Sequence, residues 1–492
     1  MFAFALYDLT NQTCFIARDR FGEKPLYYSD FNGALAFASD IRSFEALNFK
    51  KEIDDYALEY YFQEMSTPIE NSIWKSIKKV LPSHYLIYTS NSLESKKYWQ
   101  LNYQNKITIS LQDAIKESER LLKASVEKRM VADVPVGSFL SGGIDSSLIT
   151  LFAAQNSSNK IDTFSVGFEN KNFNELPYAK QVANLVQSNH HEIILNPNDI
   201  TVINELIDEY GEPFADSSMI PTYYISKFAS KYVKVALGGE GGDEVFGGYR
   251  TYNQGWRMQQ WENNHWLKYL IKFGNNLIPS EKTKYISGIY NKDKTIISSA
   301  LYRNMGFNKI ELNKLFMRSG LTKTSMEQEY ETITQEALAN VENVFDTLLY
   351  GSIKTRLVND YFVKTDRASM FASLELRTSF SDRNLVEFCS KLPYNILMHQ
   401  NKNKFLTKKI AEKYFSAKFV SRPKMGFGIP IGDWIKKEWK SKFYEVLMQK
   451  QDKIPLDYTY VKLLFEEHCK GIVDHTDKLW ILYVFQKWIA KQ

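Results

Sequence analysis

The stretch Phe139-Leu-Ser-Gly-Gly-Ile-Asp-Ser-Ser147 decides how this chain folds. It ends the apolar run Val134–Leu140, which reads as a strand, and it begins a helix with Asp145 and Ser146, residues suited to a first turn. Gly142 and Gly143 have no Cβ, so the backbone can turn tightly and bring its N–H groups against an anion. The positive end of the following helix favours the same charge, and Ser141 and Ser146 add hydroxyl donors. The pattern G-x-x-x-x-G-K-[ST] is absent, so the loop is not the lysine-bearing NTPase cradle. A plain Gly-Gly turn with an Asp/Ser cap is the alternative reading, and the strand-before, helix-after placement weighs against it.

Upstream of this loop, Ile115, Leu122, Val126 and Met130 recur at 7, 4 and 4 residues, the stripe of an amphipathic helix. Downstream, Ile161–Phe168, His191–Leu195 and Val233–Leu237 read as strands, with a helical stripe at Tyr178, Val182, Leu185 and Val186. That alternation predicts a doubly wound parallel sheet over about 112–250, with ligands beyond the carboxyl ends of its strands. After Val233–Leu237 comes a second glycine cluster, Gly238-Gly-Glu-Gly-Gly-Asp-Glu-Val-Phe-Gly-Gly-Tyr249, with six glycines in twelve residues. So many glycines permit close backbone approach, while Glu240, Asp243 and Glu244 supply carboxylates. Carboxylates beside a polyphosphate make chemical sense when Mg²⁺ lies between them.

Beyond about 250 the pattern is helical and aromatic. The Lys402, Lys404, Lys408 and Lys409 group reads as a solvated helix face. His190-His191 offers no metal site, because neighbours on a strand point to opposite faces. Residues 1 to about 105 read as short strands (Phe2–Leu6, Cys14–Ala17, Pro25–Tyr28, Leu35–Ala38, Tyr85–Tyr88) with one helix near Asp54–Phe62. Tyr103–Lys106 reads as a linker.

The glycine-serine loop resembles the S-G-G-x-D-S loop of ATP pyrophosphatases, and with the second cluster it resembles the asparagine synthase family and its β-lactam-forming relatives. Glu212-Pro-Phe-Ala-Asp-Ser-Ser218, Lys364-Thr-Asp-Arg-Ala-Ser-Met370 with Glu375, Arg377, Phe380 and Asp382, and Arg422-Pro-Lys-Met-Gly-Phe427 fit the same family. So do Ala17–Tyr28 and Phe37–Ile41, which resemble the later half of its glutaminase domain. Gly238 departs from the pattern where the family has Ser, as do Ser379 and Ser381 where it has Pro and Leu.

The resemblance implies an α/β architecture: a partial β-rich Ntn-type glutaminase domain over 1–105, then an ATP pyrophosphatase-type synthetase domain over 112–492 with a helical remainder. It implies an ATP-dependent carbon–nitrogen ligase that adenylates the aspartate β-carboxylate, releases pyrophosphate and admits ammonia. Ser141, Gly142, Gly143, Asp145 and Ser146 would hold the pyrophosphate portion, and Leu140, Val166, Gly238 and Gly239 would contact adenosine. Asp145 and Asp243 would be the Mg²⁺ ligands. Glu240 would orient the amine and accept its proton, Lys424 would stabilise charge at the transition state, and Arg367 and Glu375 would lie at the substrate or behind it. A homodimer is compatible with the resemblance.

Glutamine-dependent family members carry a cysteine after the initiator methionine, and here residue 2 is Phe. Cys14 reads as a buried strand cysteine. The expectation is therefore a front-truncated chain that can use ammonia but not hydrolyse glutamine. Other readings are an amidotransferase of the same family acting on a sugar, peptide or secondary-metabolite carboxylate, and a catalytically compromised remnant. A tRNA-modifying enzyme would want a basic face, whereas 62 basic and 57 acidic side chains give a net charge of only +5 over 492 residues. Three widely spaced cysteines and no apolar window of membrane length predict a cytoplasmic protein without nucleic-acid or membrane partners.

Overall fold

The computed structural model describes residues 1–31, 33–90, 92–199, 201–264, 266, 289, 291–302, 305–317, 323–399, 402–422, 426 and 428–492. Lys424, expected to be catalytic, lies outside the described residues.

At the front, short apolar runs separated by turns form two antiparallel sheets. The first has the order β1 (Ala3–Asp8), β2 (Thr13–Arg18), β6 (His84–Thr89), β7 (Ser92–Lys97); the second has β4 (Ala34–Ala38), β3 (Tyr27–Phe31), β5 (Lys78–Lys79). Each predicted strand is present, and β7, whose Ser92-Leu-Glu-Ser-Lys-Lys97 sequence is too polar to announce itself, was missed. The Arg-Asp-Arg-Phe-Gly-Glu-Lys segment is a hydrogen-bonded turn between the sheets. The Asp19 carboxylate accepts from the N–H groups of Phe21, Glu23 and Lys24 at 3.0–3.1 Å, and buried Arg18 donates to three carbonyls. Helix α1 (Asp55–Glu64), capped by Asp54, buries Tyr61 and Phe62 in the cluster of the C-terminal helices and Tyr60 in the second core cluster.

Tyr103–Lys106 is not a free linker. Tyr103 is buried, its N–H donates to Asn340 O at 2.8 Å, and Lys106 pairs with buried Asp346 at 2.6 Å. Helix α2 (Leu111–Met130) then turns the predicted stripe inward at Leu122 and Val126.

The five-stranded sheet is parallel throughout, in the order β10 (Asn189–Leu195), β9 (Asp162–Phe168), β8 (Val136–Phe139), β11 (Val235–Gly238), β12 (Glu375–Thr378). Helices α3 (Ile144–Asn156), α4 (Leu176–Val186), α5 (Ile203–Tyr210) and α6 (Met219–Ala229) connect and cover it. Strand β9 is buried along nearly its whole length, as a strand covered on both faces must be. β12 was not foreseen: four residues reading Glu-Leu-Arg-Thr in a helical context carry no strand periodicity, and only the open edge of β11 makes them one. Within the sheet the chain runs outward one way from β8 to β10 and the other way from β11 to β12. The switch point therefore falls between β8 and β11, where α/β sheets open a crevice.

Candidate active site at the switch point of the parallel sheet

The two glycine loops emerge side by side from β8 and β11. In the first, Gly143 N–H donates to Ser141 Oγ at 3.1 Å, and the Ser141 and Ser146 hydroxyls are 3.0 Å apart. Gly142 has φ +75°, and a Cβ there would stand 2.5 Å from Ala179 N. It is thus required twice, by conformation and by the packing of α4 behind the loop. In the second loop a Cβ on Gly239 would meet Ser146 N at 3.2 Å, and one on Gly242 would meet Asp145 Cγ at 2.7 Å. These contacts bring helix α7 (Gly242–Phe246) and the start of α3 together.

The loops border a cleft of about 420 Å³. Of the residues expected to hold phosphate or metal, Ser141, Gly143, Asp145, Ser146 and Asp243 line it. Of those expected near adenosine or the reacting carbon, Leu140, Val166, Gly238, Gly239 and Glu240 line it. Gly142 stands behind the wall, against α4. Arg367 and Glu375 lie elsewhere. Arg367 ties the synthetase region to the front of the chain, donating to Ser39 O at 2.9 Å and pairing with Asp40 at 3.2 Å. Glu375 pairs with Arg377 at 3.0 Å and sits opposite Val235, at the amino end of the sheet. Both make ion pairs in this structure.

Among the described residues four further cations, Lys364, Lys404, Lys408 and Arg422, reach the cleft, and sequence reasoning missed their role. Lys404, expected on a solvated face, is buried and ion-paired with both Asp145 and Asp243, the latter at 2.8 Å. Burial alone would lower its pKa, but the two carboxylates hold it above the ordinary lysine value. Lys364 is also buried, 3.3 Å from Asp216; burial again opposes its charge, and Asp216, Asp360 and Glu240 raise its pKa on balance. A nine-residue π-helix, Ile353–Tyr361, immediately precedes the helix bearing it and delivers Tyr361 and Lys364 to the cleft. Arg422 stacks over Tyr178 at 4.1 Å, pairs with Glu175 at 3.3 Å and donates to Gly142 O, so it clamps the first glycine loop. Lys364 and Arg422 lay inside segments already matched to a family, whereas Lys404 and Lys408 carried no such cue.

Glu240 is partly buried, and burial is the main cause lifting its carboxyl above the usual glutamate range. Lys364 opposes that shift and Asp145 adds to it. Its Oε2 accepts no hydrogen bond among the described residues, and neither does Arg422 Nη1 find an acceptor. The departure at Gly238 has a steric correlate: a Cβ there would fall 2.2 Å from Glu240 Oε2. Buried polar atoms lacking partners at a cleft imply a ligand that supplies them.

The carboxylates of Asp145 and Asp243 suit a hard divalent cation, since both already converge on one positive charge. Among the described residues no group of three or more His, Cys, Asp or Glu side chains could hold a metal. Mg²⁺ here would complete its shell from phosphate oxygens and water, as it commonly does.

Comparison with known proteins agrees with this geometry. Residues 117–490 match the asparagine synthase family model, and residues 1–99 match that of a glutamine amidotransferase domain. Over 491 residues the chain is 30% identical to asparagine synthetase (glutamine-hydrolyzing) 1 of Bacillus subtilis, covering 99% of this chain and 77% of that protein. A putative asparagine synthetase (glutamine-hydrolyzing) of Mycobacterium bovis is 28% identical, with coverages of 100% and 76%. Amidase chyE of Penicillium rubens is 28% identical over 86% of this chain and 66% of its own length. No helix among the described residues is long and apolar enough to cross a membrane.

Proposed function

The chain belongs to the asparagine synthase family and is an ATP-dependent ligase, and from that premise we propose that it makes asparagine from aspartate and ammonia. The observation that carries this reading is the convergence of Ser141, Ser146, Asp145, Asp243 and Glu240 on one cleft at the sheet's switch point. Residues 1–105 act as the amidotransferase-type region and 112–492 as the synthetase.

In this reading the hydroxyls of Ser141 and Ser146 and the loop backbone through Gly142 and Gly143 bind the β- and γ-phosphates. Leu140, Val166, Gly238 and Gly239 form the adenosine wall. Held by Asp145 and Asp243, Mg²⁺ would neutralise phosphate oxygens as pyrophosphate departs. The aspartate β-carboxylate oxygen bonds to the α-phosphorus while the bond to the β-phosphate oxygen breaks. Ammonia nitrogen then bonds to the acyl carbon, Glu240 takes the surplus proton, and AMP leaves. A carboxylate whose pKa burial has raised is better matched to such proton transfer than a solvated one. Lys364, and Lys424 by resemblance, supply positive charge near the reacting groups.

Ammonia is the donor to test first, because it enters at the acyl-adenylate and so probes the synthetase region by itself. Cys14 is buried in the front sheet and Cys389 in the helical core, burial raises both their pKa values, and Cys469 lies on a C-terminal helix away from the cleft. The amidase name of one relative favours a second reading, in which another carboxylate is the acceptor. Pyrophosphate–ATP exchange separates the two. Exchange that depends on aspartate, with asparagine formed when ammonium is added, supports the first reading. Exchange that ignores aspartate but responds to another carboxylate overturns it.

A further inference from the structure

Lys404 was absent from the residues expected at the cleft, yet its ammonium is the charge on which two loops converge. It is 8% exposed and pairs with Asp145 from the first glycine loop and Asp243 from the second. Its seat is fitted. Lys404 N–H donates to Gly247 O at 3.2 Å, and the neighbouring Asn403 amide donates to Gly248 O and Tyr249 O at 3.2 and 2.7 Å. A Cβ on Gly248 would fall 1.8 Å from Asp243 Oδ1 and 2.4 Å from Lys404 Cε, so the backbone here leaves room for the lysine and the carboxylate and for nothing more.

Two half-buried carboxylates facing each other repel, and one ammonium between them offsets most of that cost. The same ammonium stands where a divalent cation would bind. Free Mg²⁺ must therefore displace a buried charge that is already paired with both carboxylates. A nucleotide changes this, because its phosphates offer the ammonium a new partner at the moment the carboxylates receive the metal. We propose that Lys404 is the resident counter-ion of the Asp145–Asp243 pair, and that it keeps the site closed to free divalent cations until a nucleotide polyphosphate arrives. The proposal rests on the nucleotide-site reading above and adds an order of binding to it. Lys404 is on this view a positioning residue, acting through the two carboxylates.

The test is calorimetric titration of the full chain with MgCl₂ alone and with Mg-ATP, using wild type, Lys404→Met and Lys404→Arg. Lys404→Met should bind Mg²⁺ alone roughly tenfold or more tightly than wild type, and Lys404→Arg, which keeps the charge, should behave as wild type. Equal affinity of wild type and Lys404→Met for Mg²⁺ alone overturns the proposal. Should Lys404→Met not fold, wild type decides by Mn²⁺ paramagnetic resonance. Mn²⁺ bound only when α,β-methylene-ATP is present supports the proposal, and Mn²⁺ bound equally without it overturns the proposal. Failure of wild type to bind Mg-ATP would count against the nucleotide-site reading instead, since the comparison in Mg²⁺ alone needs no nucleotide.

Discussion

The front sheet and the parallel sheet use strands of similar length and bury them very differently. In β1, Phe4, Leu6 and Tyr7 are 46%, 60% and 58% exposed, whereas in β9 Phe164 and Phe168 are 0% and 3% exposed. The front sheet's own cluster is small, built on Cys14, Ile16, Leu26, Val80 and Leu86. The parallel sheet sits between helices on both faces, and its core runs on into the C-terminal helices. The difference teaches where precision is kept. A strand end fixed from both faces can hold loops at contact distance, as the near-touching glycines of the cleft require, whereas a one-sided sheet sets only local turns.

The comparison can be broken first at the cleft. Glu240→Gln should lower ammonia-dependent turnover by roughly 10²–10⁴-fold with little change in Mg-ATP affinity. In wild type the acid limb of the rate profile should lie at higher pH than for a solvated glutamate, because burial raises the group's pKa and the carboxylate form is needed. An unchanged rate and profile in the variant would deny Glu240 its role. Next, Phe164→Ala should cost about 3–5 kcal/mol in denaturant unfolding. Phe164 packs against His191 and Phe228 and fills the space that a Cβ on Gly137 would enter.

The seam between the two regions gives an intermediate effect. Glu329 accepts from Ile69 N–H at 3.0 Å, and burial pushes its carboxyl up to about 7 from an ordinary 4.5. A raised folded pKa means that the neutral form is favoured, so its contribution is full below about pH 4.5 and is lost as pH rises through 7. Glu329→Gln should flatten that part of the stability profile and stabilise the chain at pH 8 by about 1–3 kcal/mol. Thermal unfolding between pH 4.5 and 8 measures it. The smallest effect belongs to the front sheet, where Phe4→Ser should change stability by no more than about 0.5 kcal/mol. A loss as large as that of Phe164→Ala would mean that this face is covered in solution.

What could be read from the residues alone was whatever depends on neighbours along the chain. Glycines that free the backbone, Asp and Ser at a helix start, and the alternation of apolar runs located β8, β9, β10, β11 and both glycine loops, while Leu140 and Val166 at the cleft came only from the family resemblance. Local pattern failed where the cause was distant. β12 is a strand because β11 offers an edge, Tyr103 is buried because Val341 lies beside it, and Arg367 serves Asp40 and Ser39 across the seam. Lys404 makes the point most sharply. Four lysines within eight residues read as solvated, since an isolated ammonium costs too much to bury. Only the fold, by setting Asp145 and Asp243 on either side of it, removed that cost and turned a surface charge into the electrostatic centre of the site.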